Sequence, residues 1–301
     1  MSGEAGAGSG AVTQPLLERC RFLSGELLCA VSGGADSAAL LALAVSTGQP
    51  VRAFHIDHGL RPQGPDEARR VTALSSELGV ECEIIGLRVA AGPNLEARAR
   101  AARYAALPRN VLTGHTADDL AETVLLQLLR GGALDALASM SPVGRPILGL
   151  RRSETEAVCD AIGYTPVEDP SNADARFRRN RIRHEVLPLL AEVMQRDTVP
   201  LLARAASLAG EERLLLDSLA AGLDPTDAKS LREAPLPLAR RAVRKWLRGE
   251  HPPDAAAVDR VLEVARGDRV ATEIVGGRRV RRSGGRLELL ASGGDNSPRN
   301  S

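Results

Sequence analysis

The stretch Leu27-Leu28-Cys29-Ala30-Val31-Ser32-Gly33-Gly34-Ala35-Asp36-Ser37 constrains the fold more than any other in this chain of 301 residues. A short apolar run through Val31 reads as a buried strand. Ser32 to Ser37 reads as a tight turn, and the Ala/Leu-rich run from Ala38 to Val45 as a helix that begins at the turn. Strand, small-residue loop and helix N-terminus together make an anion site, because the loop N–H groups and the helix dipole point at one spot. Gly33 and Gly34 allow positive φ and a close approach of backbone to ligand. The stretch is not a Walker loop, which needs Gly-Lys-Ser/Thr; the lysines of this chain are Lys229 and Lys245. Nor is it the dinucleotide pattern G-x-G-x-x-G.

Asp36 is the informative oddity. A carboxylate beside phosphates repels them unless a divalent cation bridges the two, and Mg²⁺ commonly sits between one or two carboxylates and substrate phosphates. Standing alone, Asp36 would be a first-turn acid favouring its own helix dipole, worth about 0.3–1 kcal/mol. Within S-G-G-x-D-S directly after a strand, it points to a Mg²⁺-nucleotide. Ser32, Gly33, Gly34, Ala35, Asp36 and Ser37 are then the candidate ATP loop, with Asp36 on the metal. These residues resemble the PP-loop of the ATP pyrophosphatase group. The resemblance implies cleavage of ATP between its α and β phosphates and adenylation of a substrate oxygen.

Strands and helices alternate through the first half. Strands are expected at 51–56, 81–87 and 110–113, and helices at 66–78, 94–107 and 116–130. Such alternation predicts an α/β fold, a doubly wound parallel sheet that binds its ligand at the carboxyl ends of the strands. Past Gly132 the pattern turns irregular, with short helices at 153–162 and 180–190. From about Arg196 it offers helices at 198–221, 229–248 and 254–266. Three short strands follow, joined by Gly276-Gly277 and Gly284-Gly285. The expected organisation is a nucleotide-binding domain over 12–195 and a smaller, mostly helical domain over 196–291. Residues 1–11 and 292–301 read as disordered tails.

Aromatics make up 2% of the chain, so Leu, Val and Ala must fill its core. Four cysteines stand singly, without C-x-x-C, which argues for buried thiols over a zinc ribbon or redox pair. No signal peptide and no apolar run near membrane length is seen, so a cytoplasmic protein without membrane partners is expected.

His55-Ile56-Asp57-His58-Gly59-Leu60-Arg61 ends the second expected strand. His55 and Asp57 share a strand face. A metal site there would need a third ligand such as His115. The alternative is a nucleotide pocket wall, in which His55 and Asp57 meet ribose or adenine. Thr113-Gly114-His115-Thr116-Ala117-Asp118-Asp119-Leu120-Ala121-Glu122-Thr123 carries three acids, and Asp118 and Asp119 each share a helix face with Glu122. With no basic partner on that face, the cluster suits a cation. Asp118 is the second metal candidate beside Asp36, and Asp119 and Glu122 suit a substrate ammonium.

The formal charge is +1, yet the basic residues are unevenly placed. Five arginines lie between Arg176 and Arg183, including Arg178, Arg181 and Arg183, with no acid among them. Arg240, Arg241, Arg244, Lys245 and Arg248 form a second group, and Arg278, Arg279, Arg281 and Arg282 a third. Such polarisation is the footprint of a nucleic-acid binder. The absence of interleaved aromatics argues against stacking on single strands.

From Ser32 to about Pro188, these segments together resemble the tRNA(Ile)-lysidine synthetases. The likeness runs through S-G-G-x-D-S, H-x-D-H-G-L-R, Asn94-Leu95-Glu96-Ala97-Arg98-Ala99-Arg100, Gly-His-x-x-Asp-Asp-x-x-Glu-Thr, Asp-Pro-Ser-Asn and Arg-Asn-x-Ile-Arg. Thr116 stands where many members have His, and Leu120 where many have Gln; neither change removes an acid. The chain shows one C-terminal domain where longer members add another. The resemblance implies that ATP adenylates the oxygen on carbon 2 of the wobble cytidine in a minor isoleucine tRNA with a CAU anticodon. The ε-amine of free L-lysine then displaces AMP. Asp36, Asp119 and Glu122 are the catalytic candidates, and Arg100 and Arg103 candidates for the lysine carboxylate or the AMP phosphate. Arg178, Arg181, Arg183, Arg240, Arg241, Arg278 and Arg279 are expected to contact tRNA. The oligomeric state is open, a homodimer included. Competing readings are a PP-loop tRNA thiolase, which commonly uses paired cysteines, a glutamine-dependent amidating ligase, and a non-catalytic tRNA binder.

Overall fold

The computed structural model describes residues 4–57, 64–87, 98, 101–102, 105–167, 174–249 and 253–290. His58, Arg100, Arg103 and the Glu168–Asn172 segment lie outside the described residues, as do residues 1–3 and 291–301. Packing divides the chain into two units, Met1–Gly210 and Glu211–Ser301. The sequence put a boundary at 195–196, ahead of the long helix Val199–Ala221; the packing puts it within that helix.

The first unit is built on a parallel sheet. Strands β1 (Leu27–Ala30), β2 (Val51–Asp57) and β3 (Glu81–Gly86) pair in that order, with Leu27 opposite Val51 and Arg52 opposite Glu81. On the free edge of β1, Leu112 makes a parallel bridge to Cys29. The Ala30 amide donates to Leu112 O at 2.9 Å, and the Leu112 amide to Leu28 O at 2.6 Å. The strand expected at 110–113 is therefore one bridge long. Its ends turn away: Val111 donates to Pro108 O and Thr113 to Gly144 O. The chain thus leaves β1 toward β2 on one side and returns to β1 on the other. That reversal is the switch point at which open α/β sheets bind ligands.

Helix α1 (Glu4–Leu17) stands where a disordered tail was expected. Its start alternates alanine with glycine, a poor helix former, but its end has a core to dock on, through Val12, Leu16 and Leu17. Helix α2 (Ala35–Ser46) follows β1. Leu40, Leu41 and Leu43 are fully buried, so α2 is apolar all round, as a central helix must be. Helix α3 (Gly64–Glu77) adds Val71 and Leu74 to the same core. Helix α4 (Ala117–Leu128) follows the Leu112 bridge. A short turn α5 (Leu134–Leu137) precedes α6 (Arg152–Ala161), which packs on α2 through Val158 against Ala39 and Ala42.

Next come α7 (Arg178–Arg181), a π-helical turn at Ile182–Val186 and α8 (Leu187–Met194). Pro188 has no N–H for the α-helical bond, and its ring would crowd the carbonyl four residues back. The wider turn just before it relieves that conflict. Ile182 and Leu187 pack against Ala117 and Ala121, which sets this segment on α4.

Helix α9 (Val199–Ala221) crosses into the second unit, which holds α10 (Ala228–Glu233), α11 (Leu236–Trp246) and α12 (Ala255–Arg266). One helix was expected over 229–248; Pro235 divides it in two. Strands β4 (Ala271–Ile274), β5 (Arg278–Ser283) and β6 (Arg286–Leu290) form an antiparallel sheet in that order. Leu247, Val258, Val261, Ile274, Val280 and Leu287 fill its core. Among the described residues no helix is long and apolar enough to cross a membrane.

The closest backbone approach in the first unit involves Gly114. A Cβ built there would lie 2.5 Å from Asp36 O and 2.7 Å from Asp36 C, both backbone atoms. Gly114→Ala should therefore push the 113–115 loop off the Ser32–Ser37 loop. It should cost about 2 kcal/mol or more, in the range of overpacked cores, read as a lower urea midpoint. Gly210, with nothing within 4 Å of its Cβ position and inside α9, is the control; Gly210→Ala should raise stability by about 0.5–1 kcal/mol.

Candidate active site

The site is built on the carboxyl end of β1 and the Gly114 loop beside it. Gly33 has φ +94°, and a Cβ there would also meet Val167 Cγ2 at 3.1 Å, so glycine is required twice over. Gly33 O accepts from Tyr164 Oη and from the Val167 amide, both at 2.9 Å. Within the loop the Ser32 amide donates to Ser37 Oγ at 3.1 Å, and Ser37 Oγ donates to Gly34 O at 2.9 Å. Gly34 caps α2 without a side chain. The helix start thus keeps amides unclaimed by any side-chain cap, which is what an anion needs.

Asp36 lies in the first turn of α2. Thr155 Oγ1 donates to its Oδ1 at 2.5 Å, and Arg152 Nε donates to its Oδ2 at 3.4 Å. Burial pushes the Asp36 carboxyl above its ordinary value, further than Thr155 and Arg152 pull it back, and the nearby Asp119 adds to the rise.

The acids of α4 are not unpartnered. The expectation that no base shares their face is overturned by arginines from distant segments. Arg151 forks onto Asp118, Nε to Oδ2 and Nη2 to Oδ1, each at 3.0 Å, and the Arg152 amide donates to Asp118 Oδ2 at 2.8 Å. Arg151 also pairs with Asp197. Burial raises the Asp118 carboxyl, but the bonds from Arg151 and the Arg152 amide outweigh it and hold the group below its ordinary value. Both oxygens thus anchor the start of α6, and Asp118 is held more tightly than Asp36, whose Oδ2 meets Arg152 only at 3.4 Å.

Asp119 Oδ2 accepts from the Thr116 amide at 2.9 Å, closing a capping box at the start of α4. Its Oδ1 accepts from Arg179 Nη2 at 3.1 Å and Arg152 Nη2 at 3.3 Å. Glu122 is 0% exposed. Arg179 Nε donates to its Oε2 at 2.5 Å and Arg183 Nε to its Oε1 at 2.6 Å; Arg152 Nη1 stands 3.5 Å from Oε1. Arg179 and Arg183, one helical turn apart, grip one carboxylate. Four acids (Asp36, Asp118, Asp119, Glu122) therefore meet four guanidiniums (Arg151, Arg152, Arg179, Arg183). Arg183, expected on tRNA, belongs to this lattice. Arg151, Arg152 and Thr155 had no role from sequence, and Arg179 was read only as one of a basic group and as the start of the Arg-Asn-x-Ile-Arg motif. The available signal was weak: an Arg-Arg pair and a Thr three residues on, at a helix start.

Beside the lattice lies a cleft of about 230 Å³ whose walls include Glu122, Arg183, Leu187, Ala191 and Asp197. Thr198 also lines it, and its Oγ1 is buried without a hydrogen-bond partner among the described residues, a costly state for a hydroxyl.

His55 is 2% exposed, and its Nδ1 bonds Val31 O at 2.8 Å. It ties β2 to the end of β1 from within the core, not as a wall open to nucleotide. Asp57 ends β2. The His55–Asp57–His115 metal site is not formed: among the described residues no three His, Cys, Asp or Glu groups are arranged to hold a metal. His115 Nδ1 instead bonds Thr113 Oγ1 at 2.9 Å. Thr116 is the N-cap of α4, and Leu120 packs with Val124 and Ala206; both depart from the family pattern in structural positions.

In the second unit, three of the four arginines expected on tRNA are used internally. Arg240 Nε donates to Asp259 Oδ1 at 2.7 Å, Arg241 Nη1 to Asp217 Oδ1 at 2.5 Å, and Arg278 Nη2 to Leu247 O at 3.0 Å. Arg278 and Arg282 share the face of buried Val280, while Arg279 and Arg281 face outward. Arg281 pairs with Glu288 and Arg181 with Glu185, both exposed. Arg178 and Arg279 are exposed.

The depressed Asp118 carboxyl gives a pH dependence with a definite sign. Its stabilisation is fully present above the unfolded value of 3.8 and is lost as pH falls through the lower folded value. Asp118→Asn should lower stability at neutral pH and flatten the loss of stability below about pH 4. Urea midpoints across pH measure both.

Residues 12–190 match the family model described as a PP-loop domain, and residues 227–288 the one described as a TilS substrate binding domain. The tRNA(Ile)-lysidine synthase of Nocardia farcinica is 44% identical over 235 residues, covering 72% of this chain and 74% of that one. That of Rhodococcus erythropolis is 43% identical over 241 residues, covering 74% of each. In fold, the chain is similar to the U34-tRNA thiolase of Methanococcus maripaludis, with a TM-score of 0.54 at 14% identity over 68% of this chain and 80% of the other. With these matches over both units, the chain belongs to the tRNA(Ile)-lysidine synthase family.

Proposed function

We propose that the chain ligates free L-lysine to carbon 2 of the wobble cytidine of a minor isoleucine tRNA in the cytoplasm, in two steps at one site. The observation that carries this is the joining of Asp36 to the Asp119–Glu122 pair through one guanidinium, Arg152. A phosphate loop and an acid pair that close suit a reaction in which an adenylated intermediate meets a cationic amine.

In the first step the cytidine oxygen attacks the α-phosphorus, and the bond to the β-phosphate oxygen breaks. The Ser32–Ser37 amides and the α2 N-terminus receive the departing pyrophosphate. Asp36 suits a Mg²⁺ ion shared with phosphate oxygens, since Arg152 engages its Oδ2 only at 3.4 Å. Bound there, the ion would neutralise phosphate charge. Asp118, forked by Arg151, is the second candidate behind Asp36.

In the second step the lysine ε-amine forms the bond to carbon 2, and AMP leaves with the oxygen. The amine must shed a proton, which Asp119, at the rim of the lattice, accepts. Glu122, enclosed, orients the amine. The cleft suits the rest of lysine: Arg183 for the carboxylate, Asp197 for the α-ammonium, and Leu187 and Ala191 along the methylene stem. Arg100 and Arg103 stay candidates for the AMP phosphate. Thiolation is disfavoured, because burial pushes the Cys29 and Cys159 thiols up to about 12, far from a reactive thiolate.

Incubation with total tRNA, ATP and labelled lysine should transfer label to RNA; label without ATP, or none with it, would sink the reading. Asp36→Asn should abolish ATP–pyrophosphate exchange. Asp119→Asn should leave exchange and slow lysine transfer; an equal fall in both would move Asp119 to the ATP step.

Of the seven arginines expected on tRNA, Arg178 and Arg279 are exposed and make no ion pair among the described residues. Each phosphate contact contributes a slope of roughly −0.7 to −0.9 in log K against log salt. Arg279→Gln and Arg178→Gln should each weaken tRNA binding and flatten its salt dependence, whereas Arg278→Gln should act mainly on stability. Unchanged affinity and slope in the first two would remove them from the tRNA surface.

A further inference from the structure

Asp36 is held at both oxygens by one helix that the nucleotide reading does not use. Thr155 and Arg152 are three residues apart on α6, so their side chains lie on one face. Thr155 is 0% exposed. Its single hydroxyl proton faces two acceptors, Asp36 Oδ1 at 2.5 Å and Arg152 O at 2.7 Å. The carboxylate carries the charge and is the stronger acceptor. Arg152 approaches Asp36 Oδ2 and spreads its other nitrogens over Asp119 and Glu122. The backbone of Arg152 is fixed, because its amide is bonded to Asp118, which Arg151 clamps, while its guanidinium stays at 3.3–3.5 Å from the three acids.

We propose that Thr155 and Arg152 are positioning residues: Thr155 fixes the Asp36 carboxylate toward a metal-bound nucleotide, and Arg152 ties that carboxylate to the Asp119–Glu122 pair. The inference rests on the nucleotide reading above. A carboxylate on a helix start has two free torsions, and an unheld one must be ordered each time a metal–nucleotide binds. Thr155 removes that cost in advance, through a neutral hydroxyl that does not compete with a cation for charge. The division of labour follows from reach. Thr155 touches Asp36 but neither acid of α4, so its loss should act on the nucleotide side alone. Arg152 touches all three carboxylates, so its loss should act on both sides.

The test measures binding of the preformed Mn²⁺ complex of a non-hydrolysable ATP analogue to the full chain, by the change in water-proton relaxation when that complex is titrated with protein. Wild type and Thr155→Ser, which keeps the hydroxyl, should bind alike. Thr155→Val and Thr155→Ala, which lack it but differ in volume, should both weaken binding of the complex about ten-fold, the scale of a lost bond to a charged group. The lysine KM should stay near wild type in both. Arg152→Gln should shift both affinity for the complex and lysine KM. Using two hydroxyl-free variants guards against misfolding of one; the folded one, judged by its thermal midpoint, decides. A folded variant that binds Mn²⁺ and analogue as wild type does would overturn the role of Thr155. Failure of Thr155→Ser to preserve binding would overturn it too, since packing and not the hydroxyl would then matter. An unchanged lysine KM in Arg152→Gln would overturn the link. If the wild-type chain itself bound no Mn²⁺–nucleotide, the nucleotide reading and this inference would fall together; normal wild-type binding with unaltered variants overturns this inference alone.

Discussion

A carboxylate with no solvent exposure sets the terms for the rest of the catalytic unit. Glu122 sits inside α4, where an isolated charge would cost several kcal/mol in desolvation. It stays tolerable because Arg179 donates to its Oε2 and Arg183 to its Oε1, which Arg152 also approaches. Those arginines come from two other segments, so pairing Glu122 requires α6 and α7 to be docked on α4. Apolar contacts do the docking: Ile182 and Leu187 meet Ala117 and Ala121, and Val158 seats α6 on α2. Removing one partner of such a buried pair costs about 3–5 kcal/mol, since it strands the other charge. The lattice is therefore a constraint on assembly first, and a chemical device only once assembled.

The second constraint is the close approach at Gly114. The sheet reverses between β1 and Leu112, and two loops must share the space at that reversal. One ends in Asp36 and the other leads to Asp119. Only a residue without Cβ lets the second pass within contact of the first. The distance between the ATP loop and the acid pair is thus set by backbone on backbone, and Arg152 spans what remains. Precision of this kind suits a two-step reaction, where the carbon whose oxygen is adenylated in one step is attacked in the next, and AMP leaves with that oxygen.

Legibility from sequence followed the range of the interactions. Local signals were read well. The Ser32–Ser37 loop, the three parallel strands, and the hairpins at Gly276-Gly277 and Gly284-Gly285 depend on neighbours in the chain and on periodicity. The α4 acids were located too, because spacings of three and four define a helix face. What could not be read was their neutralisation. Arg151 and Asp118 are 33 residues apart, and Arg179 and Glu122 are 57 apart; no periodicity connects them. The same blindness hid the partners of Arg183, Arg240, Arg241 and Arg278, which look like free charge in a list of residues. Each has an acid or a carbonyl waiting in another element. His55 erred the other way: alternation along β2 gave its face, but not that Val31 O would claim its ring. Thr155 was invisible because a threonine inside a helix carries no signature until its partner is known.

The lattice also bears on how one site can serve two ligands of opposite charge. A pocket lined by acids alone would draw in lysine but repel ATP, and a pocket lined by arginines alone would do the reverse. Four carboxylates against four guanidiniums leave no net charge, yet every group is a strong hydrogen-bonding partner. Such a surface can bind by exchange. A phosphate takes over part of a guanidinium from an acid, and the released acid is then available to an ammonium. Each exchange substitutes one charged bond for another, so neither ligand has to meet an uncompensated buried charge. Arg152 is the group best placed for this exchange, since it is shared among three acids at 3.3–3.5 Å and bound tightly to none. Arg179 and Arg183, at 2.5 and 2.6 Å from Glu122, are held too firmly to move at small cost. The site thus divides into a fixed part that places Glu122 and a loose part that can answer to ligands, and the loose part lies between the ATP loop and the acid pair.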